Sequence, residues 1–494
     1  MARTLGVGGR ARAIQALARI PGPPTYPLIG NLYQYNWNGP FQKFKYHEAL
    51  HSLYRTYGPV VKQNIGGRVI VHVFEPSDIQ TVYAHEGKWP VVPPLQETTQ
   101  MYRQQKQMSL GLGNTNGAEW YRLRTNTQQK MLRPKEVQFH LPVVNQIAQD
   151  TNEINDLRLE VGRWSLENAA ALVFDRRLGC LSSGTEEEEF ARQMVEANAA
   201  IFKLSGLLKL SMPIYKYVSM PKWRQLVQAE DFFYSRALQL VDDAILRLKD
   251  AVEGDILRED QFYFLRYLLS KEELSLKDVT VICLSLFSDG LSTTTPTLLF
   301  NLYSLATNKA IQDHLHEEIS AVVGNSDTIT EEHINKMVYL KAFVKETFRL
   351  WPNGTEVSRF TEQDMELSGY HIPAGTHVDL NPLVHFRDPR VFPNPNTHSP
   401  ERWLRGDSGL KNSNPSIHPF LLTPFGHGTR MCAGRRFAEQ DLYVVLATLL
   451  RHFILTYPVG EDMKQIYHTL LFPDRPVRVK FLDRSQSKDI GIEK

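Results

Sequence analysis

The chain has 494 residues, of which 42% are hydrophobic and 22% are charged, a balance that suits a large globular protein with a buried core. Its net charge of +2 is too small to indicate nucleic acid as a partner. The three cysteines, Cys180, Cys283 and Cys432, are too widely spaced to favour a disulfide framework or a tetrahedral zinc site. No repeat, linker or low-complexity tract divides the chain, so we expect one large domain.

The N-terminal segment, residues 1–20, contains four arginines and no acidic residue, because the first carboxylate in the chain is Glu48. Such a segment resembles a mitochondrial import signal, so we interpret 1–20 as a targeting segment and 21–494 as a single domain. A disordered basic tail is the alternative, since the segment lacks serine. No apolar stretch near the N-terminus is long enough to span a bilayer.

The elements predicted along the chain are mainly helical. Two alternating stretches, 60–65 and 69–74, flank a Gly-Gly pair and predict a β-hairpin. From about 119 to 349 the apolar spacing is helical, and Ser275 with Asp278 forms a capping box that predicts a long central helix ending near Thr307. Short strands are expected within 367–378 and 477–481. The predicted fold class is therefore mainly α with small β-sheets.

The most informative stretch is the cysteine loop, residues 425–434. A helical pattern begins just past Cys432, and a helix N-terminus stabilises a thiolate. A thiolate that serves as the axial ligand of haem favours O–O cleavage. Gly428 and Gly434 permit a close approach of the backbone, Arg430 suits a haem propionate, and Phe425 can shield the sulfur. The alternative is a buried structural cysteine, the commoner fate of a lone cysteine.

These residues match the pattern F-x-x-G-x-R-x-C-x-G, and from Ile20 onward the chain resembles the cytochrome P450 superfamily, mitochondrial animal type. The resemblance implies haem b held between the long central helix and the cysteine loop, with Cys432 as the axial ligand of the iron. It also implies that Trp120 and Arg124, spaced W-x-x-x-R, bind a propionate together with Arg359.

A second implied feature is a structural cluster of Glu346, Arg349 and Arg402, which would stabilise the core around the haem. The E-x-x-R spacing alone is not specific, because it recurs elsewhere in the chain. Its position upstream of the cysteine loop supports the assignment. Trp403 stands where phenylalanine is commoner in the family.

The central helix carries the run that corresponds to the family's oxygen-activating motif. Gly290 would leave room for dioxygen, and the Thr293 hydroxyl would help to relay protons. Ser292 replaces the family's usual acid, and our hypothesis is that Asp289, acting through water, takes over its role. Pro296 cannot donate to the Ser292 carbonyl, so we expect a kink there and a free carbonyl oxygen. The alternative is that Asp289 contacts a polar group of the substrate.

The implied reaction is monooxygenation of a hydrophobic substrate with electrons that come ultimately from NADPH. The chain has no dinucleotide fingerprint, so we expect a redox partner, either an acidic ferredoxin with its reductase or a membrane flavoprotein. The basic N-terminus and a predicted docking face favour the ferredoxin. We therefore expect a mitochondrial location on the matrix side of the inner membrane. The expected membrane association is peripheral, without a transmembrane helix. The docking face comprises Lys341, Lys345, Arg435 and Arg436; a solvated helix face is the alternative for the lysines.

The predicted substrate is sterol- or steroid-like. By resemblance, its pocket draws on residues 100–112, Leu286, Asp289, 355–357 and 470–471. Three alternatives stay open: a monooxygenase of foreign chemicals, an enzyme that rearranges a peroxide without external electrons, and a haem protein without oxygenase turnover.

Overall fold

The computed structural model describes residues 17–35, 39–132, 157–182, 184–258, 261–404, 417–458, 460 and 462–484. Of the predicted targeting segment, only residues 17–20 lie within the described residues. Ile20 is buried in a hydrophobic cluster with Val60 and Val71, and the Lys62 N–H donates to the Pro21 carbonyl at 2.8 Å. Ile20, the last residue of the predicted targeting segment, is therefore packed against the domain.

Helices make up most of the described chain. In chain order they are α1 (Tyr46–Tyr57), α2 (Pro76–Ala84), α3 (Glu97–Gln105), α4 (Gly117–Leu132), α5 (Leu157–Phe174), α6 (Glu186–Lys209), α7 (Pro221–Glu253), α8 (Tyr263–Leu269), α9 (Leu276–Ala306), α10 (Lys309–Val323), α11 (Glu331–Lys336), α12 (Val338–Leu350) and α13 (Arg435–His452). None of these described helices is long and apolar enough to cross a lipid bilayer.

The strands are short and lie in four small sheets. They are β1 (Val60–Ile65), β2 (Arg68–Val73), β3 (Val357–Phe360), β4 (Met365–Leu367), β5 (Tyr370–Ile372), β6 (His377–Leu380), β7 (Phe453–Thr456), β8 (Gln465–His468), β9 (Leu470–Pro473) and β10 (Lys480–Asp483). One sheet has the order β1-β2-β6-β3, and the pairs β4-β5, β7-β10 and β8-β9 form the others. The predicted fold class is confirmed.

The predicted hairpin is confirmed, with Ile65 opposite Arg68 and positive φ angles of 60° and 88° at Gly66 and Gly67. The strands within 367–378 are only partly as expected, because β5 pairs with β4 while β6 pairs with β2 and β3. The late strand predicted at 477–481 was placed too early. It begins at Lys480, because its partner β7 offers only four residues for pairing.

The central helix α9 begins at the predicted capping box, where the Ser275 side chain accepts from the Asp278 N–H and the Asp278 carboxylate accepts from the Ser275 N–H. It contacts α5, α6, α7, α8, α12, α13 and β9, so it crosses the middle of the domain as predicted.

Two hydrophobic clusters divide α9 between them. Its first half, up to Leu291, packs in a cluster with α5, α6 and α7. Its second half, from Leu298, packs in another cluster with α10, α12 and α13. The turn between Leu291 and Leu298, which carries Thr293 and Pro296, lies at the junction of the two clusters.

Candidate active site

The cysteine loop folds back on itself immediately before α13. The Cys432 N–H donates to the Phe425 carbonyl at 2.9 Å, and the Met431 N–H donates to the Gly428 carbonyl at 3.2 Å. The Cys432 sulfur accepts hydrogen bonds from the backbone N–H groups of Gly434 and Arg435. Burial raises the pKa of the Cys432 thiol, although these N–H groups and Arg124 oppose the rise. A buried thiolate here therefore needs a strong cationic partner such as a metal ion.

The exposure and the charges of Cys432 and of the Asp289–Thr293 part of α9 indicate that they border the same interior cavity. The side chains of Cys432, Asp289 and Thr293 all have solvent-accessible surface, although α9 crosses the middle of the domain. Cys432 and Asp289 nevertheless lie deep in the protein, because burial raises the pKa of both groups, and the Asp289 carboxylate adds to the rise at Cys432. Accessible side chains deep inside a domain line a cavity, and the effect of Asp289 on the thiol places the predicted ligand near the predicted oxygen-side residues.

Three arginines, Arg124, Arg359 and Arg430, gather at the cysteine loop. Arg430 lies 4.3 Å over the Trp120 ring and donates to the Thr115 carbonyl at 2.9 Å, while its buried Nε has no hydrogen-bond partner among the described residues. Burial, together with the nearby charges of Arg359 and Arg124, lowers the pKa of Arg430 to about 9. A buried cluster of like charges with an unused donor fits a ligand that carries carboxylates.

The acid closest to this cluster is Glu86, which the sequence reasoning did not identify. Its carboxylate accepts a hydrogen bond from Arg359 Nε, and burial raises the pKa of Glu86 despite that arginine. One carboxylate does not balance three guanidinium groups. The arginines, the thiol and the cavity between them therefore fit haem, with Arg124, Arg359 and Arg430 as the residues that would hold its propionates and Trp120 beneath Arg430.

The structural cluster predicted around Glu346 is formed, and it is fully buried at Glu346 and Arg349. Glu346 accepts from Arg349 Nη2 at 2.6 Å and from Arg402 Nε at 3.1 Å. The Trp403 indole N–H also donates to Glu346, at 2.9 Å, which a phenylalanine could not do. The departure at Trp403 therefore adds a hydrogen bond to a buried carboxylate, a role that the sequence reasoning missed.

On the oxygen side, Asp289 and Ser292 face different surroundings. Ser292 is buried, and its hydroxyl donates to the Ser288 carbonyl at 3.1 Å. Asp289 borders the cavity, and burial raises its pKa to about 6, which Arg103 partly offsets. The Thr293 hydroxyl donates to the Asp289 carbonyl at 2.7 Å. Of the two polar side chains at this level of the helix, Asp289 is the one that reaches the cavity.

Two further predictions concern the backbone of α9. A Cβ built at Gly290 would meet only Ala169, at 3.5 Å, so this glycine leaves open space beside the helix. The helix is continuous from Leu276 to Ala306 with Pro296 inside it. The predicted kink and the free Ser292 carbonyl stay predictions.

The four basic residues of the predicted docking face lie on two helices, Lys341 and Lys345 on α12 and Arg435 and Arg436 at the start of α13. Glu439 pairs with Arg435 at 3.1 Å and with Arg436 at 3.8 Å. It is also close enough to Lys341 to oppose the fall in the pKa of that lysine, which burial lowers. Lys345 Nζ lies 4.2 Å from the centre of the Trp403 ring. Arg435, Arg436 and Lys341 thus lie near Glu439, whereas Lys345 lies over Trp403, and the docking face stays a prediction.

Comparisons with known proteins agree with this geometry. The family model for cytochrome P450 matches residues 20–481. The probable cytochrome P450 CYP44 of Caenorhabditis elegans is 42% identical over 93% of this chain and 92% of its own length. Cytochrome P450 10 of Lymnaea stagnalis is 33% identical over 95% of this chain and 86% of its own. The mitochondrial sterol 26-hydroxylase of Rattus norvegicus is 28% identical over 97% of this chain and 91% of its own.

Proposed function

The chain belongs to the cytochrome P450 family and is a haem-thiolate monooxygenase, and we propose that it oxidises a sterol-like substrate in mitochondria with electrons from an acidic ferredoxin. The observation that carries the proposal is that Cys432, Asp289 and Thr293 all have accessible surface inside the domain, with the Asp289 carboxylate near enough to raise the pKa of the Cys432 thiol. The predicted docking face supports the choice of electron donor. The match to a mitochondrial sterol hydroxylase over nearly its whole length supports the substrate class.

The residues of the cysteine side would bind and orient the cofactor. Haem supplies the activation of dioxygen once electrons arrive. Cys432 would hold the iron, and the N–H groups of Gly434 and Arg435 would stabilise the charge on its sulfur. The Phe425 ring packs at 5.4 Å against Phe348 of α12, which fixes the ring, and from there it would shield the sulfur.

The residues of the helix side would deliver protons. A carboxyl group with a pKa of about 6 takes up and releases protons near neutral pH, which suits Asp289 to this task. Ser292 is buried and bonded to its own helix, so it is poorly placed to replace the family's acid. Asp289 would take that role, with Thr293 one turn further along the helix.

The predicted docking face supports a ferredoxin as the electron donor. Basic residues on one face attract an acidic protein and make association depend on salt. Reversing the charges of Lys341 and Lys345 to glutamate should slow ferredoxin-supported reduction about tenfold at low salt. Lys249→Glu, on α7, is the control and should leave reduction unchanged. Equal reduction of both variants would contradict the docking face.

One reconstitution distinguishes the proposed function from its alternatives. The purified haem protein is supplied with ferredoxin, ferredoxin reductase and NADPH, and oxygenated products are sought from a panel of sterols, steroids and foreign chemicals. Products from sterols that need all three components would support the proposal. Products from foreign chemicals alone would contradict the substrate class. Products from lipid peroxides without electrons, or haem without any turnover, would favour the other two alternatives.

A further inference from the structure

We propose that Asn353 is a positioning residue that fixes the turn of α9 carrying Thr293. It lies between α12 and β3, outside the cysteine loop and outside the family motifs described above. Its side-chain Nδ2 donates to the Thr293 carbonyl at 3.0 Å and to the Thr297 hydroxyl oxygen. Both amide hydrogens of Asn353 are thus used on a single turn of the central helix. The inference rests on the proposed function, because it gives Thr293 a role in oxygen activation.

The helix itself stabilises this turn of α9 incompletely. Pro296 has no N–H, so the helical hydrogen bond to the Ser292 carbonyl is missing. The Thr293 and Thr297 hydroxyls donate to carbonyls of their own helix, at 2.7 Å and 2.8 Å, a pattern that bends helices. The turn also lies where α9 passes from one hydrophobic cluster to the other. Its position therefore depends on contacts from outside the helix.

Asn353 can supply that contact because its own position is fixed. The Leu471 N–H of β9 donates to the Asn353 carbonyl at 2.7 Å. Next to it, Gln465 Nε2 of β8 donates to the Pro352 carbonyl at 2.9 Å. The hairpin of β8 and β9 thus holds Asn353, and Asn353 holds α9. Since residues 470–471 belong to the predicted substrate wall, the same residue connects that wall with Thr293.

The expected effect of losing this contact is a shift of Thr293 and not a loss of the fold. A displacement of a catalytic group by about 1 Å is enough to change rates by orders of magnitude. Asn353→Ala removes both donated hydrogen bonds. Asn353→Gln keeps the amide group and is the conservative variant. It should retain part of the wild-type hydrogen bonding to α9 and so shift Thr293 less than Asn353→Ala does.

The chain offers a matched control in Asn301, further along the same helix. Its Nδ2 donates to the Thr297 carbonyl at 2.8 Å, and its Oδ1, like that of Asn353, is buried without a partner among the described residues. Asn301→Ala therefore removes a comparable hydrogen bond from α9 at a position further from Thr293.

The experiment measures hydrogen exchange and oxygen use on the haem-loaded proteins. In Asn353→Ala, backbone amides in 289–297 should exchange about fivefold to tenfold faster, as the loss of one or two hydrogen bonds predicts. The fraction of NADPH electrons lost as hydrogen peroxide should rise severalfold, while haem content and the absorption band of the reduced carbon monoxide complex stay as in the wild type. In Asn301→Ala, peroxide release should not change.

Each other outcome decides against a specific part of the inference. Unchanged exchange in 289–297 would overturn it entirely. Faster exchange with unchanged peroxide release would reduce Asn353 to a structural residue and overturn its positioning role. If ferredoxin supports no turnover, the proposed function fails, and the positioning role is then judged by how fast air reoxidises the chemically reduced protein. That rate should be higher for Asn353→Ala than for Asn301→Ala, and equal rates would overturn the inference.

Discussion

The two walls of the cavity take their shape from contacts of different range. The backbone hydrogen bonds within the cysteine loop join residues at most seven positions apart, with positive φ angles of 72° and 76° at Gly426 and Gly428, and Arg124 adds one distant hydrogen bond to the Met431 carbonyl at 2.8 Å. The Thr293 turn of α9 is held from a distance, by an asparagine that lies 60 residues further along the chain. A contiguous motif can therefore specify the wall formed by the cysteine loop, which we call the ligand wall. The wall formed by the Thr293 turn of α9, the oxygen wall, depends on the tertiary fold.

The largest effect should come from the ligand wall itself. Cys432→Ser replaces the thiolate by an alcohol that binds iron weakly, so we expect monooxygenase activity to fall at least about a thousandfold, several kcal/mol in barrier. The reduced carbon monoxide complex should lose the absorption band of a thiolate-bound haem. Cys283→Ser, at a buried cysteine of α9, is the control and should keep the band. A thiolate band in Cys432→Ser would exclude Cys432 as the ligand.

The next largest effect concerns the structural cluster of Glu346, which stabilises the region behind the cysteine loop. Glu346→Gln leaves Arg349 buried without its anion, and breaking a buried ion pair typically costs about 3–5 kcal/mol. The free energy of unfolding, measured by urea titration of the haem protein, should fall by about that amount. Glu401→Gln, a partly exposed acid bound to Tyr339 and Ser399, should cost about 1 kcal/mol or less. Equal losses would mean that the cluster adds no special stability.

The sequence predicted best what short segments specify. The hairpin, the capping box of α9 and the cysteine loop each depend on residues a few positions apart, and the structure has all three. What it missed depends on distant partners. The prediction started the late strand too early, because the length of β7 limits how many residues of that strand can pair. The Glu86–Arg359 pair joins residues 273 positions apart, and the Trp403–Glu346 bond spans 57, so no local pattern indicates either.

On the oxygen wall, Asp289→Asn should separate electron use from product formation. If Asp289 delivers protons, the amide cannot replace it, and product formed per electron consumed should fall about a hundredfold, at the lower end of general acid–base effects. Ser292→Ala, one turn away and buried, should leave this ratio unchanged. A ratio unchanged in Asp289→Asn would show that the carboxylate serves another purpose, such as contact with a polar group of the substrate.

Two glycines of similar conformation can test how strongly the backbone shape of the cysteine loop affects haem binding. A Cβ at Gly428 would lie 2.9 Å from Glu86 Oε2, whereas at Gly426 the nearest atom would be Met431 Cα at 3.8 Å. Both alanine variants carry the strain of a positive φ, about 1–2 kcal/mol, but only Gly428→Ala also displaces Glu86 from the arginine cluster. We expect haem to be lost faster from Gly428→Ala than from Gly426→Ala. Equal loss would mean that strain alone matters.

The smallest effect is a pH dependence of stability from the oxygen wall. Burial raises the pKa of Asp289 from its ordinary value of 3.8 to about 6, so the folded protein holds this proton more tightly than the unfolded chain. Below pH 3.8 the Asp289 carboxyl is protonated in both the folded and the unfolded chain, and its contribution to the free energy of unfolding is fully present. This contribution is lost as the pH rises from 3.8 to about 6, and it stays lost at higher pH. Its charged neighbours are Arg103, which opposes the shift, and Cys432 across the cavity.

Asp289→Asn removes this charge, so the variant should be more stable than the wild type at pH 7.5. We expect an advantage on the order of 1 kcal/mol, discounted because the side chain has accessible surface. The advantage should shrink at pH 5, where the wild-type carboxyl is mostly protonated, and urea titrations at both pH values measure it. Asp313→Asn, at an exposed acid paired with Lys309, should show no such trend. An advantage of equal size at both pH values would mean that Asp289 ionises like an exposed carboxylate, and the oxygen wall would then lack a group that exchanges protons near neutral pH.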